Sequence, residues 1–417
     1  MVRTDDDADS SPRPRPLPLV AAAGVTVGLC IMGDSLLYNI LPLEAERLGI
    51  SAPLVGVLLS ANRLIRLLSN SWLSRVFERL GPRTPFVAAT VLALATTATY
   101  GLGWGFLSFL VARIGWGVAW SALRQAGFQA VWAGDNRGRG RLMGTWWGIV
   151  RLGSAASVLI GGYLHDRYGY QVAYLVVMGI TALAIPAALG VPWSRYRTVD
   201  QSAGARPFGS ESPELLKGVL ASPQQRWLLA SGLSHSMLEG ILVSTLSLFL
   251  AGRFEEGELL PAYGAGVATV AGMLLAVRYV SNLLFGPALG ALSDRVGQAR
   301  LAVILGITML CGVIGMVGSA GAWPLLFISL IVIAGAGLFV TLNAAANGIA
   351  LNSSRPHRFV GVYTTAADAG LASGPLIAYS LTGAIGLTPV YLGTAVLLLL
   401  AIVGYRQSSG SAISECD

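Results

Sequence analysis

Apolar stretches of about 20 residues recur along the whole chain and are separated by short polar segments. A helix needs about 20 apolar residues to cross the ~30 Å hydrocarbon core of a bilayer. Each stretch therefore predicts one membrane-spanning helix. The chain offers twelve of them, at 18–43, 53–74, 84–103, 105–131, 142–163, 171–193, 226–250, 264–292, 301–320, 324–351, 359–383 and 387–405.

The longest polar segment, 194–225, falls between the sixth and the seventh predicted helices and is rich in Gly, Ser and Pro. It divides the helices into a first group of six, within 18–193, and a second group of six, within 226–405. Polar tails flank the two groups, at 1–17 and 406–417. The pattern thus predicts two six-helix bundles joined by a linker, with a tail at each end.

Composition indicates that lipid is the solvent for much of the chain. Hydrophobic residues make up 54% of the 417 residues and charged residues only 12%, whereas soluble domains carry about a quarter charged residues. So few charges cannot cover the surface of a water-soluble protein of this length. The three cysteines, Cys30, Cys311 and Cys416, are scattered without metal-ligand spacing. The sequence therefore points to a polytopic membrane protein with no cofactor.

The net charge of +7 comes from basic residues between the predicted helices, which indicates orientation in a membrane and not nucleic-acid binding. Loops that face the cytoplasm carry an excess of Lys and Arg. One set of loops carries only Arg47, Arg167 and Arg253. The other set carries fifteen basic residues: Arg75, Arg79, Arg83, Arg137, Arg139, Arg141, Arg195, Arg197, Arg206, Lys217, Arg226, Arg295, Arg300, Arg355 and Arg358. Both termini and the linker are therefore predicted to face the cytoplasm from the cell (inner) membrane.

The two groups of helices repeat each other. Residues 58–81 align without a gap on residues 274–297, at an offset of 216 (274 − 58). Gly153 in the fifth helix matches Gly370 in the eleventh, at an offset of 217 (370 − 153). Related halves with the same orientation are a known transporter design, in which the binding site lies between the halves near the bilayer midplane.

Each repeated segment ends in an acidic and basic motif. The copies are Ser74-Arg-Val-Phe-Glu78-Arg79-Leu-Gly81-Pro-Arg83 and Gly290-Ala-Leu-Ser-Asp294-Arg295-Val-Gly297-Gln-Ala-Arg300. Both resemble G-x-x-x-D-R-x-G-R-R/K, the signature that follows the second helix in the major facilitator superfamily; Ser and Glu replace Gly and Asp in the first copy. The resemblance covers essentially the whole chain past residue 17. It implies an all-α membrane protein of 12 transmembrane helices in two six-helix pseudo-symmetric bundles.

In that family the motif holds the cytoplasmic side shut in the outward-open state. A carboxylate at a helix end can bind the N-terminus of a neighbouring helix and pair with Arg, which explains how such a motif works. The resemblance therefore implies a conformational gate formed by Glu78, Arg79, Gly81, Arg83, Gly290, Asp294, Arg295, Gly297 and Arg300.

Two further stretches resemble the proton-driven drug and metabolite antiporters of the family. The first helix carries Asp34-Ser-Leu-Leu-Tyr38-Asn39-Ile-Leu-Pro42, and the fourth carries Arg113-Ile-Gly115-Trp-Gly117-Val-Ala119. The arginine of this element is implicated in proton coupling across the family. The fifth helix departs from the antiporter signature, because Ser157-Val158 stands where Gly-Pro is expected and only Gly161-Gly162 is retained.

Ionisable residues at bilayer depth are costly, by at least about 2.5–3.5 kcal/mol, and usually face a cavity or a partner. Arg151 and Asp368 lie roughly 14 Å into their helices and Glu239 roughly 20 Å, near the middle of the core. Ten such residues fall within the predicted helices: Asp34, Arg63, Arg66, Arg113, Arg124, Arg151, His235, Glu239, Arg278 and Asp368.

The repeat predicts how these charges face each other. Asp34 matches Glu239, at an offset of 205 (239 − 34), which puts the two on opposite walls of a central cavity. Arg151 matches Asp368, which puts these two across from each other. Arg66 is interpreted as a residue that reaches towards the cytoplasm, and Arg124 as a structural residue.

The predicted roles follow from these positions. The proton-coupling candidates are Asp34, Glu239, Arg113 and Asp368, with a structural Asp34–Arg113 pair as the alternative. The candidates that line a substrate cavity are Arg63, Arg151, Tyr38, Asn39, His235, Arg278, Asn343 and Asn347. Packing roles compete for His235, Arg63 and the two asparagines of the tenth helix.

No G-x-x-x-x-G-K-[ST] loop, H-E-x-x-H motif or nucleophile elbow occurs in the sequence, so neither ATP-driven transport nor an enzyme is indicated. The leading hypothesis is proton-coupled export of a small organic drug or metabolite by alternating access. Uptake of an anionic metabolite is the alternative, and a non-transporting membrane sensor on the same fold is a remote one. The expected partners are protons, a small-molecule substrate and lipid, and the family implies a monomer.

Overall fold

The computed structural model describes residues 16–133, 139–195, 222–254, 265–351 and 356–414. Within these ranges the chain forms twelve helical elements, and the outer parts of both predicted tails and most of the linker lie outside the described residues. The elements are α1 (Leu17–Glu44), α2 (Ala52–Leu80), α3 (Arg83–Leu102), α4 (Phe106–Trp132), α5 (Arg139–Tyr168), α6 (Tyr170–Gly190), α7 (Pro223–Ala251), α8 (Val267–Val296), α9 (Gln298–Gly318), α10 (Trp323–Leu351), α11 (Pro356–Ile385) and α12 (Leu387–Ser414).

Two of the helices are interrupted. A turn at Ile31 divides α1 into Leu17–Cys30 and Met32–Glu44, and a turn at Leu183 divides α6 into Tyr170–Ala182 and Ala184–Gly190. The break in α1 lies three residues before Asp34, near the middle of the helix. It therefore sits beside the first of the predicted functional residues.

Ten helices among the described residues are long and apolar enough to cross a membrane. The other two are α8, which contributes the shorter apolar helix Val267–Ser281, and α11. In α11, polar residues such as Thr364, Thr365 and Asp368 lower the hydropathy. The predicted twelve-helix fold is confirmed, although α12 continues to Ser414 and so takes in part of the predicted tail.

Helix packing follows the same plan in both halves. In the first half α1 packs on α5, α2 on α4, and α3 on both α4 and α6. In the second half α7 packs on α11, α8 on α10, and α9 on both α10 and α12. The two six-helix bundles, α1–α6 and α7–α12, are therefore related as the sequence repeat predicts.

Matched glycines allow the central helices of each half to approach closely. A Cβ atom at Gly153 would lie 2.2 Å from the Gly28 carbonyl oxygen, and one at Gly370 would lie 2.1 Å from the Leu233 carbonyl oxygen. Small residues permit such close backbone contact between helices in lipid. The two contacts are equivalent under the repeat, since Gly28 and Leu233 are 205 residues apart (233 − 28), as are Asp34 and Glu239.

The halves meet mainly along three helix pairs, α5 with α8, α2 with α11, and α1 with α7, and α1 also touches α8. We call the face that contains the α5–α6 turn and the start of α8 the closed end, because the halves are joined there. We call the opposite face, where α1 begins and α12 ends, the tail end. Gln224 at the start of α7 donates a hydrogen bond to Ser409 near the end of α12, at 3.1 Å.

Candidate functional site

A cavity of about 310 Å³ lies between the halves. Its walls come from α1, α2, α4 and α5 of the first half and from α7, α8, α10 and α11 of the second. Along α11, Thr364 is exposed, whereas Ala372 and Tyr379 are buried. The cavity therefore opens towards the tail end and is covered at the closed end.

On the first wall, Asp34 of α1 forms an ion pair with Arg113 of α4. The Arg113 side chain is fully buried, and that of Asp34 is 13% exposed at the cavity wall. Arg113 also donates from Nε to the Leu58 carbonyl (2.9 Å) and from Nη2 to the Leu59 carbonyl (3.3 Å) and Tyr38 Oη (3.0 Å). The guanidinium thus has acceptors besides the carboxylate.

Tyr38 lies between two guanidinium groups. The Cζ atoms of Arg63 and Arg113 are each 5.2 Å from the centroid of the Tyr38 ring, within cation–π range. Arg63 also donates from Nη1 to the Leu371 carbonyl oxygen of α11, at 2.8 Å. Arg63 therefore reaches from the first half to the second.

On the opposite wall, Glu239 of α7 forms an ion pair with Arg278 of α8. His235 lies one turn before Glu239, and its Nε2 is 3.1 Å from the Gly335 carbonyl oxygen. Asp34, on the other side of the cavity, faces this group from α1. The structure thus places the two repeat-related carboxylates on walls that belong to different halves.

Arg151 of α5 and Asp368 of α11 both line the cavity, from walls that belong to different halves, and each has other neighbours. The Cζ atom of Arg151 is 5.7 Å from the Trp147 ring and 5.6 Å from the Tyr279 ring of α8. Asp368 instead interacts electrostatically with Arg66 and Arg124. These neighbours reflect the packing of α5 against α8 and of α11 against α2, and the pairing of Arg151 with Asp368 stays a prediction.

The asparagine candidates divide between three environments. Asn343 lines the cavity. Asn39 is buried and donates to the Ala268 carbonyl oxygen across the halves, at 2.9 Å. Asn347, one turn further towards the tail end, is exposed and does not line the cavity.

Arg66 and Arg124, which were not among the predicted cavity residues, also line the cavity. Trp116 and Trp120 join them on this wall, although neither was a candidate. The signal in the sequence was the spacing: Arg63 and Arg66 are three residues apart on α2, so they share a helix face, as do Trp116 and Trp120 on α4.

The predicted gate residues lie at the tail-end termini of α2 and α8. Glu78, Arg79 and Arg83 are exposed, as are Arg295 and Arg300. Gly81 (φ 69°) and Gly297 (φ 92°) end the two helices in equivalent positions, with backbone dihedrals that favour glycine. The side chain of Asp294 lies outside the described side chains, as does the Gly290 position, and the gating role of the nine residues stays a prediction.

The closed end is held by a carboxylate from one half and a helix start from the other. Asp166, near the end of α5, accepts hydrogen bonds from the backbone N–H groups of Ala268 (3.2 Å) and Thr269 (2.7 Å) and from the Thr269 hydroxyl. Free N–H groups and the helix dipole favour an anion at the N-terminus of α8. His165 adds a 2.8 Å contact between its Nε2 and Glu44 of α1.

Backbone contact between α5 and α8 completes this closure. A Cβ atom at Gly272 would lie 2.2 Å from the Val158 carbonyl oxygen, and one at Gly162 would lie 2.5 Å from the Ala268 carbonyl oxygen. Ser157, which replaces the expected Gly, donates to the Met32 carbonyl oxygen at 2.5 Å. The altered signature thus keeps a close α5–α8 contact through Gly162.

Replacing Asp166 by alanine is expected to weaken the closed end, because the first N–H groups of α8 lose their acceptors. The loss of two to three hydrogen bonds to a carboxylate costs several kcal/mol of stability. Hydrogen bonds from the freed N–H groups to water reduce this cost. Cysteine pairs placed at exposed positions on either side of the closed end should crosslink less readily in Asp166→Ala. The variant Glu46→Gln, in an exposed loop residue at the same end, is the control and should crosslink as the wild type does.

Twelve helices in two repeated bundles, around a charged cavity that opens to one face, define a polytopic membrane transporter. The sequence profile described as Major Facilitator Superfamily matches residues 23–281. The chain belongs to the major facilitator superfamily.

Similar proteins carry transporter names. The chain is 25% identical over 400 residues to "Multidrug resistance protein MdtG" of Dickeya zeae, covering 92% of this chain and 93% of the relative. It is 24% identical over 390 residues to "MFS-type transporter SLC18B1" of Rattus norvegicus, covering 90% and 78%.

Solved structures with the same fold include the nucleoside transporter NupG, at a TM-score of 0.74 and 12% identity, over 94% of this chain and 98% of that one. A bacterial homologue of the human lysosomal transporter Spinster has a TM-score of 0.72 and 14% identity, over 97% and 99%. At these identities the structures establish the fold alone.

Proposed function

We propose that the protein exports a small organic solute in exchange for protons, and that Asp34 carries the proton. The observation that carries the proposal is the Asp34–Arg113 pair, in which the carboxylate faces the cavity and the guanidinium is fully buried. Protonation of Asp34 leaves Arg113 with the Leu58 and Leu59 carbonyls and Tyr38 Oη as acceptors. The pair can therefore lose its ionic character without leaving a buried cation unsatisfied.

Alternating access couples this proton to the cargo. The two halves rock about the cavity, so that the closed end opens when the tail end closes. A proton or a solute shifts this equilibrium only by its difference in affinity for the two states. Asp34 sits beside the break in α1, and Tyr38 on the same helix contacts Arg63, which bonds to α11 of the other half. This chain of contacts supports Asp34 as the link between proton binding and movement of the halves.

The loops support the proposed orientation, and the relatives support the proposed direction of transport. The excess of basic residues on the tail-end loops supports a cytoplasmic location for both termini. In that orientation the cavity opens to the cytoplasm, where an exporter collects its cargo. The resemblance to MdtG, whose name describes multidrug resistance, supports export across the inner membrane. We propose that the protein transports its solute as a monomer, since the two bundles of one chain enclose the whole cavity.

The test is a pH-jump measurement on the full chain reconstituted in liposomes. Spin labels across the tail end report the separation of the halves, and the wild type is expected to change that separation with pH. Asp34→Asn should abolish the pH response, a coupling that is typically about 5- to 150-fold in an equilibrium constant. Glu46→Gln, in an exposed carboxylate, should respond as the wild type does. An unchanged response in Asp34→Asn would assign the proton elsewhere, and Glu239→Gln and Asp368→Asn then identify the carrier.

A second assay decides the direction. Liposomes that hold the protein are given a pH gradient of either sign, and the movement of ethidium and of 2-naphthoate is followed. If export is coupled to protons, the transported probe should move in the direction opposite to the proton flow. Movement of the probe with the proton flow would establish uptake instead.

A further inference from the structure

The walls of the cavity carry an excess of positive charge. Five arginines line it: Arg63, Arg66, Arg124, Arg151 and Arg278. A sixth, Arg113, is fully buried and paired with Asp34. Three carboxylates face them, and two of these, Asp34 and Glu239, already form ion pairs with Arg113 and Arg278. Among the described cavity residues, Asp368 is therefore the one carboxylate left for the four other arginines.

Three of those arginines lie close enough to repel one another. Arg66 interacts electrostatically with Arg63 and with Arg124, and Asp368 is the shared counter-ion of Arg66 and Arg124. Guanidinium groups bind carboxylates and phosphates through parallel pairs of hydrogen bonds. A cluster of like charges in a cavity with too few counter-ions has a strong preference for an anionic ligand.

An aromatic wall lies next to this cluster. The ring centroids of Trp116 and Trp120 are 5.9 Å apart, and those of Trp120 and Trp147 are 6.3 Å apart. Arg151 lies 5.7 Å from the Trp147 ring and so extends this surface with a second cation. Flat aromatic faces bury a planar ring, while the adjacent arginines bind a charged substituent.

We propose that the cargo is an aromatic organic anion, with its acidic group bound by Arg66 and Arg124 and its ring against Trp116, Trp120 and Trp147. The volume of about 310 Å³ admits a compact ligand near the lower limit for small-molecule sites. The inference deepens the proposed function, since it names the charge of the exported solute. The movement of the anion rests on the proposed proton-coupled export, whereas its binding in the cavity does not.

Asp368 acts as the internal competitor of this anion. It interacts electrostatically with Arg66 and Arg124, and an incoming acidic group takes over that role. When Asp368 carries no charge, the guanidinium groups of Arg66 and Arg124 bind the ligand without competition from a carboxylate. Asp368→Asn is therefore expected to tighten anion binding, an effect that a merely structural role of the residue does not produce.

The decisive experiment is equilibrium dialysis of the detergent-solubilised full chain against two probes of similar ring and opposite charge. The wild type is expected to bind 2-naphthoate at least about tenfold more tightly than 2-naphthylmethylammonium. Arg66→Gln and Arg124→Gln should each weaken naphthoate binding about ten- to a hundredfold, as the loss of charged hydrogen bonds predicts. Arg75→Gln, an exposed arginine on the same helix as Arg66, is the matched control and should bind as the wild type does.

Tighter binding of the ammonium probe by the wild type would overturn the proposal, whatever the variants do. Unchanged naphthoate binding in folded Arg66→Gln and Arg124→Gln would overturn it as well. Dialysis uses no proton gradient, so selective naphthoate binding together with a failed pH response in liposomes would refute proton coupling and leave the anion site intact. The reverse result would refute the anion site alone.

Discussion

Replacing Gly272 by valine is expected to abolish transport and to hold the closed end apart. A Cβ atom at this position would lie 2.2 Å from the Val158 carbonyl oxygen, well inside van der Waals contact. The obstacle is the backbone of α5, which cannot turn away as a flexible side chain can. The two helices must therefore separate, and each half can keep its own fold while it does so.

The expected magnitude follows from the cost of overpacking. Added methyl groups in a tightly packed contact typically cost about 1–3 kcal/mol, and the backbone contact here puts Gly272→Val near the upper limit. The whole penalty falls on one of the two transport states, since the contact exists only while α5 and α8 touch. Distances between spin labels across the closed end should lengthen in Gly272→Val, and transport of any cargo should stop.

The matched control is Gly144→Val, because a Cβ atom at Gly144 of α5 would have no neighbour within 4 Å. This variant should transport and fold as the wild type does. Label distances in Gly272→Val that match those of the wild type would contradict the view that this contact closes the cavity.

Replacing Arg113 by leucine is the second change with a large expected effect. The guanidinium is fully buried and pairs with Asp34, so its removal leaves a carboxylate without its counter-ion at bilayer depth. Breaking a buried ion pair by removal of one partner typically costs about 3–5 kcal/mol. Arg113→Leu should therefore lower the thermal unfolding midpoint in detergent and abolish pH-driven transport.

The double variant Asp34→Asn/Arg113→Leu separates the two effects. It removes both charges, so a part of the lost stability should return while transport stays absent. A double-mutant cycle of the unfolding free energies measures this coupling. Additive effects of the two substitutions would show that the ion pair contributes nothing as a pair. Arg75→Gln, in an exposed residue, is the control for the loss of a positive charge.

The fold was largely predictable because it depends on patterns that lipid imposes. Twelve apolar stretches and the matched glycines, such as Gly153 and Gly370, gave both the helix count and the repeat. The position of Asp34 and Glu239 on facing walls also followed, since a repeat relates equivalent positions on equivalent helices.

The repeat does not predict the partners of these carboxylates, although the sequence analysis named an Asp34–Arg113 pair as an alternative. Arg113 lies on α4 and Arg278 on α8, and these two helices are not related by it. Each ion pair is thus specific to its half. The neighbours of Arg151 and Asp368 were not predictable for a related reason: the repeat fixes positions along the helices, whereas contacts in the cavity depend on which helices meet. The cavity roles of Arg66 and Arg124 depend on the same packing.

The two ion pairs have one geometric property in common: neither crosses the boundary between the halves. Asp34 and Arg113 both belong to the first bundle, and Glu239 and Arg278 both belong to the second. The contacts that do cross are backbone packing at glycines and hydrogen bonds that pair a charged or polar side chain with a neutral group, such as Arg63 with the Leu371 carbonyl. Opening the gap therefore breaks neither of these ion pairs. The opposite charges that it does move apart are Asp368 on one side and Arg66 and Arg124 on the other. Each bundle keeps its own ion pair as it moves, which lowers the electrostatic cost of separating the halves.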